Sequence, residues 1–368
     1  MYSKNVIKKK INYLLILIGS IFILSFLACE KDDVNFPEFE SFEFPLAQEQ
    51  NIDEERLVQV YNAAQYITGI KSLLVSRNGV LVSEGYFTEM AADNLYHVRS
   101  VTKSVVSALI GIAIDEGFIE STDQSLNMFI DPLGYTLDED KLNITIEDLL
   151  TMSSGFQWNE FTDVGEYNNW LTANDQIEYV IRRTLVNTPG EVFSYNSATA
   201  HLLSVILTEA TEMSTHDFAF EYLFEPLGLS DEDFSWGQFD QGYFNGGADL
   251  MLKPGDMIKI GELYLNNGLY NGNQIIPSQW VQESTNIHIS TNLDEFEPDY
   301  GYLWWINNDM TYDVFFANGY GGQFIVVVPE LELVVVATSE WRLLGNTAGQ
   351  QWYNVMSLIM NEVLDCVE

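Results

Sequence analysis

The chain has 368 residues, with 54 acidic against 16 basic side chains and a formal net charge of −38. A surface of that sign repels phosphate backbones, so DNA and RNA are excluded as partners. Apolar residues make up 47% and charged residues only 19%, far from the composition that stays disordered. A large packed core is expected, in one big domain or two closely joined ones.

Residues 1–12 hold Lys4, Lys8, Lys9 and Lys10 and no acid, and residues 13–27 are almost wholly apolar. This is the pattern of a signal peptide; the apolar run is shorter than the roughly 18 residues of a spanning helix. Phe26-Leu27-Ala28-Cys29 resembles a bacterial lipobox. The resemblance implies removal of residues 1–28 and a lipid anchor on Cys29, with an uncleaved signal anchor as the alternative. Glu30, Lys31, Asp32 and Asp33 resemble the Lys-and-acid tetrad that sends Bacteroidetes lipoproteins to the cell-surface face of the outer membrane. A periplasm-facing lipoprotein is the second choice, and a solvated linker the plain reading of the tetrad. Loss of residues 1–28 would leave 12 bases against 54 acids, and Cys366 would be the one thiol besides Cys29, so no intrachain disulfide is expected.

Residues 29–50 are acidic, with two prolines and scattered Phe, and read as a tether before a domain over 51–368. Ile52, Leu57, Val60, Ala64 and Ile67 follow a helical spacing. Residues 72–86 give two β-rich runs around Asn78-Gly79, a hairpin signal. From Val101 to Ile114 the chain is apolar nearly all round, as in a helix buried on every side, and Gly117 supplies its stop. The interval over about 118–250 is mainly helical, with a capping-box pattern at Thr145 and Asp148 and helical runs at 199–211 and 215–224. Pro254 opens another helix. Residues 313–320, 322–330 and 331–339 are β-rich, and 347–364 form a helical tail. These elements predict an α/β (α+β) fold: an antiparallel sheet of five strands or more, flanked by helices, with a helical insertion and a cleft where the two meet.

His97, His201, His216 and His288 show no HxH or HxxxH spacing, and there is no CxxC, GxGxxG, phosphate loop or GxSxG. No metal and no cofactor are expected. His97 reads as a packed histidine, and Arg99, Arg182 and Arg183 read as members of solvated ion pairs. Trp158, Trp170, Trp304 and Trp305 are candidates for cleft walls or plain core. The anomaly is Lys103, one turn from Ser100 at the start of the most apolar helix. That spacing puts amine and hydroxyl on one face, and burial would lower the amine's pKa toward that of a usable base.

Ser100-Val101-Thr102-Lys103, residues 149–158, residues 189–203 and residues 319–330 together resemble the serine β-lactamase and penicillin-binding protein superfamily. The likeness is to its class C-like branch, with carboxylesterases and 6-aminohexanoate-dimer hydrolase, and it spans roughly residues 52–364. It implies a β-lactamase/transpeptidase-like fold and a serine hydrolase that forms an acyl-enzyme on a small-molecule ester or amide. By the same resemblance Ser100 attacks the carbonyl and Lys103 takes its proton. Tyr195, made acidic by the nearby cation, serves the leaving group, and Ser197 orients Lys103 or the substrate. Tyr320-Gly321-Gly322 stands where the family has a Lys or His, a small residue and Gly. Tyr320 therefore favours ester or amide over β-lactam. Gly322 lets the strand approach the substrate, and the Gln323 and Ser100 N–H groups form the oxyanion hole; the plain reading of this stretch is a hairpin turn. A D-amino-acid peptidase, a β-lactamase, a surface binding protein without turnover and a scaffold adhesin remain as alternatives.

Overall fold

Asn78 and Gly79 sit at φ 54° and 73°, the left-handed pair that a two-residue hairpin needs. They join strands Ile70–Arg77 and Val80–Tyr86. The computed structural model describes residues 42–88, 91–160, 164–293 and 296–368. In it this hairpin forms one edge of an eight-stranded antiparallel sheet. Next to Ile70–Arg77 come Leu333–Ser339, Gln323–Val328, Val314–Gly319, Trp305–Asn307, Asp299–Tyr300 and Ile289–Ser290. The three central strands are buried almost throughout, so both sheet faces must be covered.

Register decides what covers each face. Leu73 pairs with Ala337, and Ala337 with Phe324, so these three share one face. On that face Tyr61 of helix Glu54–Ala64 meets Gly85, and Trp352 of helix Gly345–Leu358 meets Phe324. Ile325 and Val334 point the other way, against Gly261 of helix Pro254–Leu265. A Cβ on Gly261 would lie 2.4 Å from Val334, so only glycine lets that helix sit on the sheet.

Helix Val101–Asp115 is buried at every residue from Val101 to Ala113. Gly111 takes the Trp280 ring, Ser104 donates to the Leu303 carbonyl, and Gly117 at φ 78° ends the element. Helix Ser197–Thr211 belongs to the insertion, together with the capping box of Thr145 and Asp148. The insertion is not purely helical. Phe234–Trp236 and Leu250–Leu252 join Tyr96–His97 in a three-stranded sheet. Strands of two or three residues have no period to read.

The expected tether reaches too far into the fold. Phe44 and Ala47 are buried, and the Phe44 ring lies 4.5 Å from that of Tyr61, so residues 42–50 are part of the domain; apolar anchors among the acids hold them down. The two ends of the domain meet: Asp53 N–H donates to the Cys366 carbonyl, Glu368 N–H to the Asn51 carbonyl, and Arg56 pairs with Asp365 at 2.8 Å. Cys29 and the signal region lie outside the described residues. No helix among the described residues is long and apolar enough to cross a membrane.

Candidate active site

Ser100 precedes the first turn of helix Val101–Asp115 and is half-buried. Lys103, 1% exposed, donates from Nζ to Ser100 Oγ at 2.9 Å, Ser197 Oγ at 2.9 Å and the Gly247 carbonyl at 2.6 Å. All three acceptors are neutral, and no carboxylate among the described residues makes an ion pair with it. Burial lowers its pKa to about 8; Glu160 opposes the shift and Arg99 adds to it. At pH 7 about one molecule in ten then carries a neutral amine beside the serine, against fewer than one in a thousand for an exposed lysine.

Two insertion loops hold that amine. A Cβ on Gly247 would come within 2.5 Å of the Ser197 carbonyl oxygen, so glycine there is what brings the 247 carbonyl onto Lys103. From the other loop, Glu160 Oε1 accepts from Ser197 Oγ at 2.5 Å, and its Oε2 accepts from Ser197 N–H at 2.8 Å and Trp158 Nε1 at 3.0 Å. Sequence reasoning missed Glu160. Its one signal is an acid two residues after Trp158, in a segment whose shape no period dictates.

Tyr195 stacks on Trp305 with rings 5.7 Å apart, and its hydroxyl bonds to Ser100. The expectation of an acidified Tyr195 is corrected. Burial, with Tyr300 and Glu160 nearby, pushes its phenol well above the ordinary value, and Lys103 Nζ lies over the ring face, 4.8 Å from its centre. There the charge meets the π-cloud and not the oxygen. Asn196 caps helix Ser197–Thr211 through Ala198 and Thr199 N–H. His97 bonds to Asp249 at 3.0 Å and accepts from Arg99 N–H, so it is engaged away from the serine. Of the four tryptophans, Trp305 reaches the site through Tyr195, whereas Trp170 and Trp304 are core.

The strand-edge residues require a shift of three positions. Gly322 is turned away from the nucleophile; a Cβ there would meet Ser339 and Val355. The Gln323 side chain bonds to the Ser339 backbone, and Gln323 pairs with Gly319 across the hairpin. The glycine that closes on the nucleophile is Gly319, where a Cβ would lie 2.4 Å from the Val98 carbonyl oxygen. Tyr320 follows it and stays partly exposed at the mouth. Neither Ser100 N–H nor Tyr320 N–H meets a protein acceptor among the described residues. This pair, rather than Ser100 with Gln323, is the candidate oxyanion hole. Residues 319–322 are a hairpin turn as well, with Gly322 N–H donating to the Gly319 carbonyl.

The family model described as Beta-lactamase matches residues 55–357. The chain belongs to that family and is a serine hydrolase with a β-lactamase/transpeptidase-like fold. The 6-aminohexanoate-dimer hydrolase of Paenarthrobacter ureafaciens is 23% identical over 314 residues, covering 79% of this chain and 77% of that protein. The octameric penicillin-binding protein homologue from Pyrococcus abyssi superposes with a TM-score of 0.65 at 20% identity, over 84% of this chain and 78% of its own. A family VIII carboxylesterase gives a TM-score of 0.63 at 14% identity, over 88% and 98%.

Proposed function

We propose that the protein cleaves a small ester or amide through an acyl-enzyme on Ser100. The observation that carries this is Lys103, a buried amine whose bonds all go to neutral acceptors, one of them Ser100 Oγ. In its neutral form Lys103 takes the Ser100 proton as Oγ bonds to the carbonyl carbon, and the oxyanion is met by the Ser100 and Tyr320 N–H groups. Tyr195, held protonated by burial, gives its proton to the leaving alcohol or amine as the carbon–heteroatom bond breaks, and is reprotonated at the expense of the Lys103 ammonium through the Ser100 oxygen that both groups touch. Water then attacks the acyl carbon, giving up a proton along the same route, and the carboxylic acid leaves with Ser100 restored. The names of the dimer hydrolase and the carboxylesterase support amide and ester substrates.

The lipobox-like Phe26 to Cys29 supports a lipid anchor at the outer membrane, facing outward on the strength of the Lys-and-acid tetrad. The test of the chemistry is the intact mass of the protein after a fluorophosphonate. One adduct on the parent and none on Ser100→Ala is expected. A folded parent that takes no adduct would sink the hydrolase reading and leave a binding protein on the same fold.

A further inference from the structure

Eleven Lys and Arg side chains fall within the described residues, and eight of them pair with carboxylates. Of the other three, Lys103 serves the nucleophile and Arg77 donates to the carbonyls of Leu331, Gln50 and Asn51. The third is Arg99, next to Ser100. It is half-buried, its Nε is shut off from solvent with no acceptor, and no carboxylate among the described residues makes an ion pair with it. In a chain of net charge −38 an unpaired guanidinium is not what chance supplies.

The surroundings explain how it stays unpaired. The guanidinium carbon lies 5.6 Å from the Tyr320 ring centre and 5.5 Å from that of Trp341, contacts that stabilise a cation without supplying an acceptor. The Tyr167 hydroxyl accepts a hydrogen bond from it, a neutral partner that leaves its charge uncompensated. Asp249 feels the charge, but its oxygens are taken by His97 Nε2 at 3.0 Å and Asn245 Nδ2 at 2.7 Å. The backbone is committed to this placement too. Arg99 sits at φ 54°, a left-handed conformation that costs roughly 1–2 kcal/mol in a residue with a Cβ. The strain is held by the bond from Arg99 N–H to His97 Nδ1 and by Thr102 Oγ1 and N–H on the Arg99 carbonyl.

A strained arginine between two rings, one residue from the nucleophile and against the Tyr320 mouth, has no carboxylate partner among the described residues and can take one from outside the chain. We propose that Arg99 is an anion subsite of the cleft and that the preferred substrate is an ester or amide bearing a carboxylate. A stacked guanidinium keeps its N–H edge for a flat two-oxygen acceptor. This rests on the hydrolase reading above and names the substrate class for that same site.

The experiment compares mono(4-nitrophenyl) adipate with its methyl ester, matched in length and leaving group, at about 0.15 M salt, where long-range repulsion is screened within roughly 8 Å. Nitrophenol release gives kcat/KM for each, less the uncatalysed rate. The parent is expected to favour the free acid by about tenfold or more, the range of a charged hydrogen bond. Arg99→Gln should lower the acid-to-ester ratio by about tenfold, and Arg99→Lys, which keeps a point charge but not the fork, should fall between. Turnover of the methyl ester with no preference for the acid overturns the inference but leaves the hydrolase reading standing. So does a ratio that Arg99→Gln leaves unchanged. Failure to turn over either ester counts against both.

Discussion

Two lysines are buried among the described residues, and one of these two is built for proton transfer. Lys141, 3% exposed, places Nζ 2.5 Å from Asp138 Oδ2 and 3.0 Å from the Ile181 carbonyl. Lys103 is buried as deeply, yet it meets two hydroxyls and a carbonyl. At Lys141 the ammonium has a carboxylate against it; at Lys103 burial lowers the pKa and only neutral acceptors meet the amine. Burial is common to both sites, so the chemistry of the partners is what separates a structural amine from a basic one.

The sharpest way to break this contrast is to remove each amine in turn. Lys103→Met should lower kcat/KM on an activated ester by about a thousandfold, within the range of a lost general base, with the fold retained by circular dichroism. A smaller effect, confined to KM, would mean that Lys103 only positions substrate. In the parent, kcat/KM should rise with pH and level off above about 8, because the amine must be neutral to act and its pKa is lowered to about 8. Glu160→Gln removes the charge that opposes that lowering. The limb should therefore move below pH 8 while the plateau falls about tenfold as Ser197 loses its orientation. A limb that stays put would show that Glu160 acts on Ser197 alone. The smallest effect belongs to Lys141→Met. Asp138 is 65% exposed and resolvates, so activity should stay within about twofold and stability within about 2 kcal/mol.

The parts of the fold that were legible in the sequence are those with a local cause. Asn78-Gly79 dictates its hairpin, Thr145 and Asp148 their cap, and the unbroken apolar run after Ser100 its buried helix. Ile289–Ser290, Asp299–Tyr300 and Tyr96–His97 were not legible, since two-residue strands exist only by virtue of their neighbours. The same division runs through the site. Ser100 and Lys103 are one helical turn apart and could be paired on paper, whereas Glu160 and Gly247 come from loops and meet Lys103 or its partner only after folding. The three-residue error at Gly319 has a similar origin. In a run containing Gly319, Gly321 and Gly322, only contact with the Val98 carbonyl distinguishes the one that must be glycine for approach to the nucleophile. Arg99 was read as a solvated ion pair because nothing in a sequence shows that a cation has no partner.

The clasp between residues 51–56 and 365–368 makes the domain a closed ring in all but covalent bonding. A peptide long enough to run from Glu368 back to Phe42 could link its ends, and the chain could be opened elsewhere, for instance at the exposed Asn271-Gly272 turn, without moving a strand of the large sheet. In such a circular permutant the nucleophile helix would follow the C-terminal helix in translation order and still stand in the same place. The order in which this protein is synthesised and the arrangement in which it works are thus separable.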